Sequence, residues 1–175
     1  VKGYRRLTGK AAMLPKWAFG YIQSQERYES FDEIISTVKE FRKRDIGMDC
    51  IVQDWCSWPD NMWGQKSFHP VRYSDPAENI SKIHELNAKF MLSIWPNPSN
   101  TAPDYKEFSE KGFMIETDDY YNAFSSEARD LYWKQVRENL WKYGVDAWWC
   151  DNSEPYAPEW NHIVRACEGR AYEEF

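Results

Sequence analysis

The sequence predicts an α/β fold in which parallel strands alternate with helices. Four short apolar runs are spaced along the chain and three of them end in polar or aromatic loops, which is typical of strands buried in a parallel sheet. The segments between them carry helix-start signals and apolar residues at helical spacing. Strands that alternate with helices pair in parallel through right-handed crossovers, so this order predicts a parallel sheet.

The first part of the chain supplies a lead-in, one strand and one helix. Residues 1–16 are polar and are interpreted as an irregular lead-in segment, and residues 17–175 as one partial domain. Trp17–Tyr21 is the first predicted strand. Ser30 and Glu33 have the spacing of a capping box, so a helix is predicted to begin there.

The second strand is predicted at Met48–Val52, and an acid and a tryptophan, Asp54 and Trp55, stand where it ends. The loop that follows, residues 56–73, is long for a compact domain. Loops of this length tend to be functional.

The remaining elements repeat the pattern. They are a helix capped by Asp75 with Pro76 in its first turn, a third strand at Ala88–Trp95, a short helix at Pro103–Lys111, a short strand at Phe113–Ile115 outside the main sheet, a long helix from Ser125 or Ser126 to about Tyr143, a fourth strand at Val145–Cys150 and a helix near His162–Cys167.

Three of the four strands end in loops of similar polar or aromatic character, at residues 23–28, 54–63 and 151–154. A doubly wound sheet usually has one functional switch point, whereas a (β/α)8 barrel gathers all such loops at one rim. No Gly-rich phosphate loop is present, so a nucleotide-dependent enzyme has little support. Because a complete barrel takes about 250 residues, the chain is interpreted as the first half of a (β/α)8 TIM barrel.

Composition excludes several partners. The net charge is −6 and charges of both signs are mixed, which argues against binding to nucleic acid or a membrane surface. No apolar run is long enough to span a membrane. The four cysteines lack CxxC spacing and no His pair has ligand spacing, so we expect neither a metal nor another cofactor. Any targeting signal would lie upstream, which leaves periplasmic, secreted and cytoplasmic locations open.

Asp151 directly follows the fourth strand, in which Trp148 and Trp149 are adjacent. Tryptophan beside a carboxylate suits a sugar, which offers an apolar C–H face and hydroxyl groups. The alternative is that Asp151 only caps a turn and that Trp149 is barrel core. Asp54 has the same two interpretations.

Four segments resemble glycoside hydrolase family 31, the retaining α-glucosidases and α-xylosidases, from about Arg5 to Trp160. They are Leu14–Tyr21, Val52–Trp55, Ala88–Pro98 and Trp149–Glu154, the last of which matches the W-x-D-x-x-E nucleophile signature of the family.

The resemblance implies a catalytic role for Asp151, as the nucleophile that forms a glycosyl-enzyme ester. It also implies that Asp54 binds sugar hydroxyls and that Trp149 forms an aromatic wall. Trp55, Trp95 and Tyr28 are expected to line the same pocket. The implied partner is an oligosaccharide substrate with a terminal α-linked sugar. The bulk of Trp55 beside Asp54 favours xylose over glucose.

The chain departs from the family pattern in one respect. A retaining glycosidase needs a second carboxyl about 5–5.5 Å from the nucleophile, and nothing after Asp151 resembles the acid/base residue. Asp146 and Glu154 do not match its motif. We therefore expect an enzyme as the full-length parent and an inactive, self-associating chain in isolation. The alternative is a non-catalytic carbohydrate-binding or structural half-barrel.

Overall fold

The computed structural model describes residues 1–115 and 120–153 of the chain. The helices are α1 Lys2–Thr8, α2 Phe31–Lys43, α3 Pro76–Glu85, α4 Pro103–Glu110 and α5 Ser126–Asn139, and the strands are β1 Ile22–Gln23, β2 Cys50–Gln53, β3 Lys89–Ile94 and β4 Ala147–Cys150. The predicted helix near His162–Cys167, and Glu154, lie outside the described residues. No described helix is long and apolar enough to cross a membrane.

The four strands form one parallel sheet in the order β1-β2-β3-β4, which confirms the predicted fold. Chain order and sheet order are identical, so the described sheet contains no reversal of the kind that defines a doubly wound fold. Right-handed crossovers between neighbouring strands place the crossover helices α2, α3, α4 and α5 on the same face, where they contribute to one core. This is the construction of a (β/α)8 barrel wall.

One hydrophobic core lies between the sheet and its helices. The helices contribute apolar residues spaced three or four apart, because that spacing directs side chains to one helix face. The strands contribute alternate residues. The main members are Ile34 and Val38 of α2, Ile80 and Ile83 of α3, Ala128 and Val136 of α5, Ile51 of β2 and Phe90, Leu92 and Ile94 of β3.

Two of the three predicted helix caps form. Ser30 Oγ accepts the N–H of Glu33 at 3.3 Å, and Ser125 Oγ accepts the N–H of Ala128 at 3.2 Å. Asp75 precedes α3 as predicted, but it has a left-handed backbone with φ 47° and its side chain makes no capping bond. The prediction of a side-chain cap at Asp75 is therefore wrong, although Pro76 begins the helix.

The first strand was predicted too early. Lys16–Phe19 is a 3-10 turn, and β1 begins at Ile22. The pairing with β2 decides this boundary, because Tyr21 accepts the backbone N–H of Asp49 at 2.9 Å and donates its own N–H to the Asp49 carboxylate at 3.2 Å. A side chain at Gly20 would collide with Asp49, so only glycine allows this approach.

Three other boundaries differ from the predictions. The lead-in is not wholly irregular, since residues 2–8 form the exposed helix α1. The long helix ends at Asn139, and a separate 3-10 turn covers Trp141–Tyr143 before Gly144. The predicted short strand near Met114 is an isolated antiparallel bridge to Tyr121.

Candidate active site at the carboxyl edge of the sheet

Asp54 and Asp151 lie at the same edge of the sheet. Each directly follows a strand, Asp54 after β2 and Asp151 after β4, and all the strands are parallel. Only β3 stands between these two strands, so their axes are two interstrand spacings, roughly 10 Å, apart. The backbone N–H of Asp151 donates to Ile94 at 3.2 Å and continues the ladder to the edge.

The Asp54 carboxylate is partly buried and is held by its own loop. One of its oxygens accepts the N–H of Trp55 at 2.9 Å. Burial raises the pKa of the Asp54 carboxyl, the Trp55 N–H acts in the opposite direction, and the negative charge of Asp151 raises the pKa further. The two carboxylates are therefore close enough to interact electrostatically.

Gln53 fixes the loop that presents Asp54. Its side chain is fully buried, and its amide nitrogen donates to the carbonyl groups of Asp54 at 2.7 Å, Trp55 at 3.0 Å and Tyr28 at 3.4 Å. The amide thus connects the end of β2 with the loop that follows β1. This connection limits the positions that Asp54 and Trp55 can adopt.

The Asp151 carboxylate is also partly buried, and it is oriented by the next residue. Its Oδ1 atom accepts the backbone N–H of Asn152 at 2.8 Å. This hydrogen bond fixes the orientation of the carboxylate at the end of β4.

Four tryptophans form a cluster at this edge, here called the tryptophan cluster: Trp55, Trp58, Trp63 and Trp95. Ring centroids are 5.3 Å apart for Trp55 and Trp63, 4.9 Å for Trp63 and Trp95, and 5.6 Å for Trp58 and Trp63. The Trp95 indole N–H donates to Ser93 Oγ at 2.8 Å, which fixes the orientation of that ring. A cavity of about 240 Å³ borders the cluster beside Trp58 and Trp63.

Trp55 retains a free hydrogen-bond donor. Its indole Nε1 is buried and has no hydrogen-bond partner within the described parts of the chain. A buried donor without a partner costs free energy. A hydroxyl group of a bound sugar would satisfy it.

Trp149 lies on the face of the sheet opposite to the helices. It pairs in register with Ser93, whereas Trp148 pairs with Leu92 and packs against the core. Trp149 is 40% exposed. Its side chain therefore lies on the face of the sheet that points to the inside of a barrel, as an aromatic residue of a sugar pocket would.

Two of the predicted pocket residues are buried. Trp95 is 9% exposed within the tryptophan cluster, and Tyr28 belongs to the hydrophobic core. Its side chain is 1% exposed, its carbonyl accepts the Tyr73 hydroxyl at 2.5 Å, and its own hydroxyl accepts the Gln23 amide at 3.4 Å. A sugar contact of Tyr28 stays a prediction.

Asp146 lies at the opposite end of β4 and serves the fold. Its carboxylate contacts His84 Nε2 at 2.7 Å, Lys89 Nζ at 3.0 Å and the N–H of Phe90 at 2.9 Å. Burial opposes ionisation of Asp146, but the N–H of Phe90 and the partners His84 and Lys89 outweigh it, and the net result is a lowered pKa. The distance along the strand separates this group from Asp151.

Comparison with known proteins identifies the family. Residues 11–173 match the family model described as the glycosyl hydrolases family 31 TIM-barrel domain. The chain belongs to glycoside hydrolase family 31.

The chain is similar to one archaeal enzyme, one bacterial enzyme and one enzyme of known crystal structure. The chain is 44% identical over 155 residues to an α-xylosidase of Saccharolobus solfataricus, a match that covers 89% of the chain and 21% of that enzyme. It is 41% identical to α-glucosidase 2 of Bacillus thermoamyloliquefaciens, again over 89% of the chain and 21% of that enzyme. A family 31 α-xylosidase of Xanthomonas citri superposes with a TM-score of 0.84 and 38% identity over 99% of the chain and 20% of that structure. The chain thus spans about a fifth of the length of these relatives.

Several residues at this family 31 edge were not predicted as site residues. Trp58 and Trp63 lie in the long loop at residues 56–73, and two tryptophans in one polar loop were a usable signal. Three further residues act through hydrogen bonds: Gln53 to the loop after β2, Ser93 to the Trp95 ring and Asn152 to the Tyr120 hydroxyl. No local sequence pattern identifies such roles. Within the described residues, no three His, Cys, Asp or Glu side chains meet in a way that could hold a metal ion.

Proposed function

We propose that the full-length protein is a retaining glycoside hydrolase that removes terminal α-linked sugars. One observation carries this proposal: Asp54, Asp151 and the tryptophan cluster share the carboxyl edge of a family 31 barrel sheet. Barrel enzymes bind and transform their substrates at this edge.

In the proposed mechanism, the ionised Asp151 attacks the anomeric carbon of the sugar. A bond forms between a carboxylate oxygen and that carbon while the glycosidic C–O bond breaks. The leaving oxygen takes a proton from an acid carboxyl, which we assign to no residue of this chain. Water then attacks the glycosyl ester, gives a proton to the same carboxyl and releases the sugar with Asp151 restored.

Asp54 and the aromatic residues hold the sugar during these steps. An ionised Asp54 accepts hydrogen bonds from two neighbouring sugar hydroxyls, and the Trp55 indole N–H donates one. The faces of Trp95 and Trp149 pack against the apolar C–H surface of the ring. Contacts that tighten as the ring flattens lower the barrier rather than the substrate dissociation constant alone.

Xylose is the favoured sugar. The two α-xylosidase relatives are 44% and 38% identical to the chain, although the α-glucosidase relative, at 41%, keeps glucose open. Xylose differs from glucose by the missing hydroxymethyl group, and Trp55, directly after Asp54, occupies the space where we place that group.

The direct test uses the full-length protein with 4-nitrophenyl α-xyloside and α-glucoside, read by nitrophenol release and by NMR of the first-formed sugar anomer. We expect hydrolysis with retention and a kcat/KM at least about tenfold higher for the xyloside, since one group in a pocket is worth about 1–3 kcal/mol. A first-formed β-anomer would exclude the double-displacement mechanism. Preference for glucose would change the sugar and leave the mechanism intact.

A further inference from the structure

The turn that follows Asp151 is tied to a distant part of the chain. Asn152 has a left-handed backbone with φ 51°, a conformation that asparagine tolerates better than most residues. Its side-chain amide donates to the Tyr120 hydroxyl at 3.1 Å. Its backbone N–H donates to Asp151 Oδ1 at 2.8 Å. A continuous connection thus runs from the Tyr120 ring to the Asp151 carboxylate.

Tyr120 is held in place by burial and by backbone hydrogen bonds. It is 8% exposed, and its carbonyl accepts the N–H of Ile115 at 2.9 Å. The adjacent Tyr121 donates its N–H to the carbonyl of Pro96 at 3.2 Å, just beyond β3. Tyr121 also stacks on Tyr132 of α5, with 4.7 Å between ring centroids. The segment that carries Tyr120 is therefore attached both to the end of β3 and to α5.

We propose that Tyr120 and Asn152 are positioning residues that aim the Asp151 carboxylate at the anomeric carbon. The inference rests on the proposed function, in which Asp151 is the nucleophile. The N–H of Asn152 engages Oδ1, so Oδ2 is the attacking oxygen. Displacement of a reacting group by a fraction of an ångström slows a reaction, because the reacting atoms must meet at about 3–3.5 Å with aligned orbitals.

Two variants test this connection. Tyr120→Phe removes only the accepting hydroxyl. Asn152→Gly removes the amide but keeps both the backbone N–H and a residue that adopts positive φ freely. Tyr121→Phe is the matched control, because it removes a hydroxyl from the adjacent residue and keeps the stack on Tyr132.

In the full-length enzyme, each test variant should lower kcat about fivefold to tenfold, the equivalent of one neutral hydrogen bond. KM should change less than about twofold and the thermal unfolding midpoint should stay near that of the parent, because only the attack geometry is affected. The double variant should be no slower than the slower single variant, since both changes remove the same interaction. The control should match the parent.

Three results would overturn the inference: parental kcat in both single variants, a loss confined to KM, or losses that multiply in the double variant. The activity of Asp151→Ala separates this inference from the proposed function. If Asp151→Ala is inactive while Tyr120→Phe and Asn152→Gly are fully active, the positioning role is wrong and the proposed function stands. Turnover by Asp151→Ala removes the proposed function itself.

Discussion

Asp54 and Asp151 lie at one edge of the sheet, on either side of β3. Burial raises the pKa of the Asp54 carboxyl, and the neighbouring charge of Asp151 raises it further. A carboxylate whose surroundings oppose its ionisation is unfavourable for the fold. We interpret this cost as the consequence of a functional role for Asp54, and the first two predictions below follow from it.

Asp54→Asn should separate stability from activity. A raised pKa in the folded state means that ionised Asp54 costs stability at pH values above that pKa. The amide removes the charge, so the variant should be at least as stable as the parent at pH 7, by chemical denaturation. The difference should shrink as the pH falls through the Asp54 pKa and the parent carboxyl takes up a proton.

The same variant should lose kcat/KM by about tenfold to 100-fold, because hydrogen bonds to a charged group are worth about 1.5–3 kcal/mol each. Steady-state kinetics on the α-xyloside would measure the loss. A destabilised Asp54→Asn enzyme with parental kcat/KM would mean that the carboxylate serves the fold and not the sugar.

Trp55→Leu should change the sugar preference. The smaller side chain leaves room for a hydroxymethyl group, so the ratio of kcat/KM for α-glucoside to that for α-xyloside should rise about tenfold. The buried Trp58, in the same cluster, provides the control, and Trp58→Phe should leave the ratio unchanged. An unchanged ratio in Trp55→Leu would remove Trp55 as the residue that excludes glucose.

Asp146→Asn should affect stability and not chemistry. The pKa of Asp146 is lowered in the fold, so its ionised form stabilises the folded state above the unfolded pKa, and that contribution disappears as the pH falls through the folded value. We expect a loss of about 1–3 kcal/mol in the free energy of unfolding at pH 7. At acid pH the variant and the parent should converge.

The kcat/KM of folded Asp146→Asn should stay within about twofold of the parent, because the residue lies at the amino end of β4. A large loss of activity with normal stability would place Asp146 in the catalytic machinery instead.

The isolated 175-residue chain should self-associate. In the described sheet β1 and β4 each pair on one side, and the large ring of Trp149 is exposed on the uncovered face. Open strand edges and exposed aromatic residues favour pairing with a second chain. Light scattering across a dilution series should show mass that rises with concentration, and Trp149→Lys should reduce it. A monomer at every concentration would contradict this expectation.

Local patterns in the sequence were sufficient for most of the fold. The apolar runs at β2, β3 and β4 and the capping signals at Ser30 and Ser125 predicted those elements to within a few residues. Trp17–Tyr21 has the same apolar character, yet it is not a strand. Its conformation depends on Asp49, 28 residues further along the chain from Tyr21, and no local pattern contains that contact.

The candidate site divides in the same way. The position of Asp54 and Asp151 at one edge of the sheet was predictable, because residues that directly follow parallel strands all lie at the same edge. The link from Tyr120 to Asn152 joins residues 32 positions apart through a single hydrogen bond. Trp63 reaches Trp95 only because the β2–α3 loop folds back over the edge. Such contacts are set by tertiary packing and leave no periodic trace in the sequence.

The most direct test of the account is covalent trapping of the nucleophile. A fluorinated α-xylosyl substrate with a good leaving group should label the full-length enzyme, and peptide mass spectrometry should locate the sugar on Asp151. The isolated chain, treated in parallel, should stay unlabelled. Label on Asp54 or Glu154, or an active Asp151→Ala enzyme, would contradict the assignment of Asp151 as the nucleophile.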